Sequence, residues 1–371
     1  MTIALCTHNA NLEGAPLHLL ELAMLLQNEG NTVLLLSPKN GPLLQLAKQK
    51  NVPYRVVPCL YDENFSMIHL QQDLPMHLDL IVVNTILGAR IVEIVHNSET
   101  SLPVLWIIHE SEGQEIIDKH AFITPHIFAM ADAVLFTAYT TKAVYEQWNT
   151  GNMHVIHNGI HLDTVSISRY QSQKHILREK FLIPPNAQLA SLIGTVCPRK
   201  GQKEFIEAAI AVLLDAPKEY NVHFAICGRL DIEYEKYLSQ PLATAEKFGF
   251  KNHFHVLPET KDPMEYFAMT DIYVCNSFIE SFPLVILEAM SFGLPIAASN
   301  TYGVAEQLTH KEDGLLHLPG NISQLTENLC TLIQDQPLCM RLGRNAQRNV
   351  REKFSQEKMM NAYNDLLKSL I

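Results

Sequence analysis

Short apolar runs alternate with amphipathic stretches along almost the whole chain. The runs at 2–6, 32–37, 55–57, 80–84, 104–109, 133–136 and 154–157 read as strands in the first half. Those at 189–196, 223–227, 254–257, 272–275 and 296–298 read as strands in the second. Stretches such as 17–28, 203–214 and 284–292 carry helical spacing between them. Nearly continuous apolar strands alternating with helices predict parallel sheets covered on both faces. The pattern occurs twice. The polar, interrupted segment 163–186, with Pro184-Pro185 near its end, reads as a connection. We therefore expect an α/β fold with a first domain at 1–165 and a second at 186–355. A last helix at 356–371 has no following strand and is expected to pack back on the first domain. Ligands of open parallel sheets bind beyond the carboxyl ends of the strands, so two facing sheets would bind a large polar substrate between them.

Length changes little: 371 residues fit two or three domains. The N-terminus has no basic leader before its first apolar run and reads directly as a strand. The seven cysteines form no C-x-x-C pair, a pattern of reduced thiols that predicts a cytoplasmic protein. Charge is more informative. Residues 1–160 hold 15 acids against 7 bases, a net of −8 of the chain's −11. An acidic first half argues against nucleic acid as a partner. It also offers no basic patch for docking on an anionic membrane. Histidines are numerous, but no H-E-x-x-H or other metal-ligand spacing appears, so no metal is expected.

The densest chemistry lies in Ile279-Glu280-Ser281-Phe282-Pro283-Leu284-Val285-Ile286-Leu287-Glu288-Ala289-Met290. Pro283 suits the first position of a helix, where no N–H is needed. Glu280 then precedes the helix and Glu288 lies about one and a half turns in. The amides of Leu284 and Val285 point outward at the positive end of the helix dipole, an anion site. Carboxylates on either side suit a ligand with a charged middle and hydroxyl-rich ends, such as a nucleotide sugar. A capped core helix with two solvated glutamates has the same spacing.

Three further places carry chemistry. Cys197-Pro198-Arg199-Lys200-Gly201-Gln202 follows a strand and precedes a helix, so its turn can offer amides and two cations to a phosphate; a solvated basic loop is the alternative. Gly14, before the first long helix, permits close approach of an anion, or simply makes a turn. His109 ends a strand at its carboxyl side, where it can hydrogen-bond a ligand or serve structure alone; His8 has the same geometry with a weaker claim. Asn158-Gly159 reads as a turn. The absence of G-x-S-x-G and G-x-G-x-x-G removes the common hydrolase and NAD readings.

Together these motifs resemble the retaining glycosyltransferases of family 4, which have the two-domain GT-B fold. The resemblance runs from Gly14-Ala15-Pro16 through His157-Asn158-Gly159 and Lys200-Gly201 to the E-x7-E run and on to Pro295. It implies that Glu280 contacts the donor sugar, that Glu288 holds the ribose hydroxyls, and that His109 steadies the sugar at the reacting centre. It further implies that Lys200 neutralises a diphosphate, helped by the amides of Gly14, Leu284 and Val285. The chain departs from the family pattern at Thr195, which follows Gly194 where an arginine is common; Arg199 or Arg229 could supply that charge. It departs again at Tyr302-Gly303, where a Gly-Gly pair is common.

The resemblance implies a metal-independent transfer from a nucleoside diphosphate sugar to an acceptor hydroxyl with retained anomeric configuration. The donor is expected to be of UDP type, with guanine and adenine bases open. The acceptor, a glycan, lipid-linked or small molecule, would sit against loops 60–74 and 110–124. A non-catalytic nucleotide-sugar-binding subunit and a nucleotide-sugar 2-epimerase of the same fold are the competing readings.

Overall fold

The computed structural model describes residues 1–62, 65–68, 78–215 and 220–371. Part of the expected acceptor loop at 60–74, namely 63–64 and 69–74, lies outside the described residues. The chain forms two compact units. The first comprises Met1–His157 with Met360–Ile371, the second Asn158–Met359.

The first unit is a seven-stranded sheet of β1 (Thr2–Cys6), β2 (Thr32–Ser37), β3 (Tyr54–Val56), β4 (Leu80–Asn84), β5 (Val104–Ile108), β6 (Ala133–Phe136) and β7 (Met153–Val155). Their order is β3-β2-β1-β4-β5-β6-β7, and every pairing is parallel. All five residues of β4 and of β5 are buried, as an unbroken apolar run demands when helices cover both faces. Trp106, Phe128, Phe136 and Tyr145 fill one side of this core. The order reverses direction at β1/β4, and the strand ends Cys6, Asn84 and Ile108 all open on the same edge.

The second unit is a six-stranded parallel sheet of β8 (Gln188–Ile193), β9 (Val222–Cys227), β10 (Phe254–Leu257), β11 (Ile272–Cys275), β12 (Ile296–Ser299) and β13 (Leu315–His317). Its order is β10-β9-β8-β11-β12-β13, again with the switch beside the first strand. The helix Gln202–Asp215 buries Phe205, Ile206, Ala209 and Val212 against it.

The segment 163–186 is not an irregular connection. It forms helices Thr164–Ser172 and Lys174–Lys180. Its polarity misled the reading because its charged groups are structural. Asp163 caps the first helix by accepting from the amides of Val165 and Ser166. Arg178, only 5% exposed, donates to the carbonyls of Met269, Pro185 and Ala187 and pairs with Asp271 at 2.5 Å. The helix Gln356–Leu370 begins in the second unit and contributes Met360–Ile371 to the first. There the buried Tyr363 stands 3.5 Å from His18 Nε2 through its hydroxyl.

Candidate functional site

In the second unit the loop after β11 is the centre of the site. Glu280 is 8% exposed. Its Oε1 accepts from the Lys200 ammonium, accepts from Ser277 Oγ at 2.8 Å, and lies 3.3 Å from Arg199 Nη1. Arg199 also donates to the Ile279 carbonyl at 2.8 Å. Burial pushes the Glu280 carboxyl up, but Lys200, Arg199 and Ser277 outweigh it and hold the group below the ordinary range. The sequence reading gave the cation and the acid separate tasks; the fold joins the half-buried Lys200 and the buried Glu280 as one pair.

The loop is pinned from all sides. Phe278 N donates to Arg199 O at 2.8 Å, Thr301 Oγ1 to Phe278 O at 3.0 Å, and Gly303 N to Glu280 O at 3.3 Å. Asn276 Nδ2 donates to Gly201 O at 2.8 Å, and its Oδ1 accepts from His317 Nε2 at 2.9 Å. Gly201 has φ +67°, and a Cβ there would stand 2.2 Å from Asn276 O. Glycine is therefore required for the Lys200 turn to reach the β11 loop.

Pro283 is not the first helical residue. With φ −69° and ψ 122° it is the extended N-cap, and helix Leu284–Ser291 starts one residue later. Its carbonyl accepts from Gln307 Nε2 at 2.9 Å and from Ile286 N at 3.3 Å, the latter as a cap carbonyl does at the start of a helix. Leu284 and Val285 thus become the first two helical residues, whose amides have no partner within a helix. Both are half-buried, as is Glu288, and Glu288 and Glu280 both bear on the buried Tyr273 hydroxyl. Behind the tip, Asn158 Nδ2 donates to Phe282 O at 3.3 Å, so the expected turn residue is a buried brace.

Of the two arginines that could replace the one absent at Thr195, Arg199 joins the cluster. Arg229 pairs instead with Asp231 at 3.2 Å on the surface. Tyr302 occupies the first position of the expected Gly-Gly pair with φ +35°, a conformation glycine adopts readily and tyrosine rarely. Gly303 must remain glycine, since a Cβ would meet Ser281 O at 1.6 Å.

In the first unit Gly14 opens helix Gly14–Asn28, with nothing within 4 Å of where its Cβ would be. His109 follows β5 and meets Asn84, at the end of β4, through Nε2 to Oδ1 at 2.8 Å. Asn84 Nδ2 in turn donates to Ala15 O at 2.9 Å, tying the ring to the tip of the Gly14 helix. The His18 ring stands edge-on to His109 with centroids 5.1 Å apart. Burial first, then the neighbouring His18 and His8, pull the His109 imidazole well below its ordinary range, so it is neutral near pH 7. Burial likewise lowers His18 to about 4. Glu110 accepts from the amides of Ile86 and His109 at 3.1 and 3.0 Å, and burial raises its carboxyl to about 7 despite those bonds.

Sequence reasoning did not find Asn84, Ser277 or Asn276. Asn84 and Asn276 end or follow buried strands, and a polar residue closing an apolar run at a sheet's carboxyl edge was the available signal. His317 lies on β13, which three residues were too few to reveal.

Two all-parallel Rossmann-like units, one with a cation–carboxylate cluster at a helix tip, define a GT-B protein. A model of the glycosyl-transferase family 4 matches residues 1–169, and one of the glycosyl transferases group 1 matches residues 173–349. The chain belongs to the family 4 glycosyltransferases of GT-B type. It is similar to an uncharacterized glycosyltransferase of Haemophilus influenzae, 32% identical over 124 residues, 33% of this chain and 35% of that one. It also resembles the N,N'-diacetylbacillosaminyl-diphospho-undecaprenol alpha-1,3-N-acetylgalactosaminyltransferase of Campylobacter jejuni, 29% identical over 188 residues, 51% and 46% of the two chains. The matched part thus spans less than half the length of either relative. The fold matches that of HepE from Anabaena, solved with UDP and glucose, at a TM-score of 0.84 and 21% identity over 100% of both chains. Among the described residues no helix is long and apolar enough to cross a membrane.

Proposed function

We propose that this protein transfers a sugar from a nucleoside diphosphate sugar, of UDP type, to an acceptor hydroxyl, with retention of anomeric configuration. The observation that carries this reading is the Lys200–Glu280–Arg199 cluster beside the amides that open helix Leu284–Ser291. A buried acid beside two cations and a helix tip is suited to a ligand that is anionic at one end and hydroxylated at the other. The UDP and glucose bound to HepE are a ligand pair of that kind.

In this reading Lys200, Arg199 and the amides of Leu284, Val285 and Gly14 take up charge on the diphosphate. Glu280 accepts from sugar hydroxyls and Glu288 from the ribose. His109, held neutral, is a hydrogen-bond partner for the sugar near its reacting carbon. The bond from the anomeric carbon to the phosphate oxygen breaks as the bond to the acceptor oxygen forms on the same face. The acceptor proton passes to the departing phosphate oxygen. Fixed donors at the leaving group contribute about 3 kcal/mol each to such a step. The positive charge comes from the chain, so the reaction is metal-independent. The acceptor is a hydroxyl of a glycan, a lipid-linked saccharide or a small molecule.

The test is UDP release from UDP-sugars, with and without acceptor panels, for the wild type, Glu280→Ala and Lys200→Ala, with folding checked by thermal unfolding. Both variants are expected to lose turnover while staying folded, and EDTA to leave the wild-type rate unchanged. Wild-type rates in both variants would overturn the assignment.

A further inference from the structure

The turn after β4 is the most strained segment beside His109. Thr85 has φ 70° and ψ 159°, a region that only glycine enters readily. Five hydrogen bonds hold the turn there. Thr85 N donates to Ile107 O at 2.7 Å, and Thr85 O accepts from Trp106 Nε1 at 2.7 Å and from Gly88 N at 3.0 Å. Ile86 N and His109 N both donate to Glu110 Oε2. The Thr85 hydroxyl is buried with no hydrogen-bond partner among the described residues. Strain that is so firmly over-determined points to what the turn delivers, and the residue immediately before it is Asn84.

Asn84 is fully buried and its amide can be oriented only one way. Its Nδ2 faces the Ala15 carbonyl, an acceptor, so its Oδ1 faces the His109 ring. An amide oxygen only accepts, so His109 Nε2 must carry the proton and Nδ1 the lone pair. Tyr61 adds a bond from its hydroxyl to Asn84 O at 3.3 Å and to Cys6 O at 3.1 Å, bracing the strand end.

We infer that Asn84 is a positioning residue for His109: it locks the imidazole as the Nε2–H tautomer, and the strained Thr85 turn exists to hold Asn84 there. This rests on the assignment of His109 to the reacting centre made above. Among the groups facing the ring are His18 from helix Gly14–Asn28, His8 from the loop after β1, and Asn84 from β4, with the Glu110 carboxyl on its backbone side. None of these is a fixed anion against the ring itself. An Asn84→Asp variant would place one there and stabilise the imidazolium.

The test is long-range ¹⁵N–¹H NMR of the histidine rings of the whole protein between pH 5 and 8, with His109→Gln identifying the resonances. The wild type should show a protonated Nε2 and an unprotonated Nδ1 at pH 7, with the ring still neutral as pH falls through the ordinary imidazole range. Asn84→Ala should give mixed tautomers, and Asn84→Asp should bring His109 protonation into the neutral range. In parallel, UDP-sugar turnover should fall about tenfold or more in Asn84→Ala, as for loss of a supporting partner, while affinity for UDP alone is retained. Thr85→Gly should raise the melting temperature by about 2–4 °C and keep the wild-type ring signature. An Asn84→Ala or Asn84→Asp protein with the wild-type tautomer and titration would overturn the inference. The ring measurement needs no turnover, so a wild type that shows the predicted tautomer yet transfers no sugar would count against the proposed function alone.

Discussion

The two units build their candidate sites from opposite materials. The second uses full charges: Glu280 is buried but surrounded by Lys200, Arg199 and Ser277, and it stays ionised. The first uses neutral groups: His109, His18 and His8 are all held in the uncharged form, and an amide side chain fixes the ring. A charged cluster matches a ligand that brings its own charge, and a neutral imidazole matches hydroxyl groups. The difference teaches that a buried carboxylate is kept charged by neighbouring cations, whereas buried imidazoles without such partners are kept neutral by desolvation.

The comparison can be broken most forcefully at the charged cluster. Lys200→Ala should lower turnover by about 10²–10³, the size of losing a transition-state donor. Glu280→Ala should lower it similarly and also destabilise the protein by about 1–3 kcal/mol, because the half-buried Lys200 and the buried Ser277 hydroxyl are then left without their carboxylate partner. Turnover and thermal unfolding of each variant check this. Next comes the turn that delivers Lys200. Gly201→Ala should destabilise by about 1–3 kcal/mol, since its left-handed backbone is strained for alanine and its Cβ meets Asn276 O. Denaturant unfolding measures it.

A pH series sharpens the contrast further. The histidines have folded values below their unfolded ones, so the unfolded chain binds more protons in acid. Their contribution is full above about pH 6.5 and is lost as pH falls toward 4, the value for His18. Glu280, also lowered, loses its contribution as pH falls below the ordinary carboxylate range. Glu110 runs the other way: raised to about 7, it favours the fold below about pH 4.5, and that contribution is lost as pH rises to 7. Melting temperatures from pH 4 to 8 should therefore rise with pH, and Glu110→Gln should steepen the gain above pH 5. The smallest effect should be at Arg229→Ala. Its pair with Asp231 is solvent-exposed, so UDP affinity should stay within about twofold of wild type, whereas Arg199→Ala should weaken it measurably.

The sequence made the sheets legible because buried parallel strands are almost purely apolar. Among the described residues, twelve of thirteen strands fall within a few residues of the expected runs, and the three-residue β13 escaped. Glu280, Lys200 and the helix tip were legible because their motif is contiguous or precedes a clear apolar helix. What the sequence hid was partnership. Glu280 meets Lys200 across 80 residues, and Asn84 meets His109 across 25. No local period marks such pairs. Pro283 was misread by one position because proline is at home both at the N-cap and just inside, and its extended ψ of 122° decides for the cap. Arg178 and Asp163 made a helical segment look like a linker, because their polarity is spent on buried carbonyls and a cap.

Calorimetric titration of UDP into the folded wild type and into Lys200→Met, at low and at physiological salt, tests the central claim most directly. The account predicts binding by the wild type that weakens with salt, and an affinity at least about tenfold lower in the variant. Equal affinities, or a folded wild type that does not bind UDP, would contradict it.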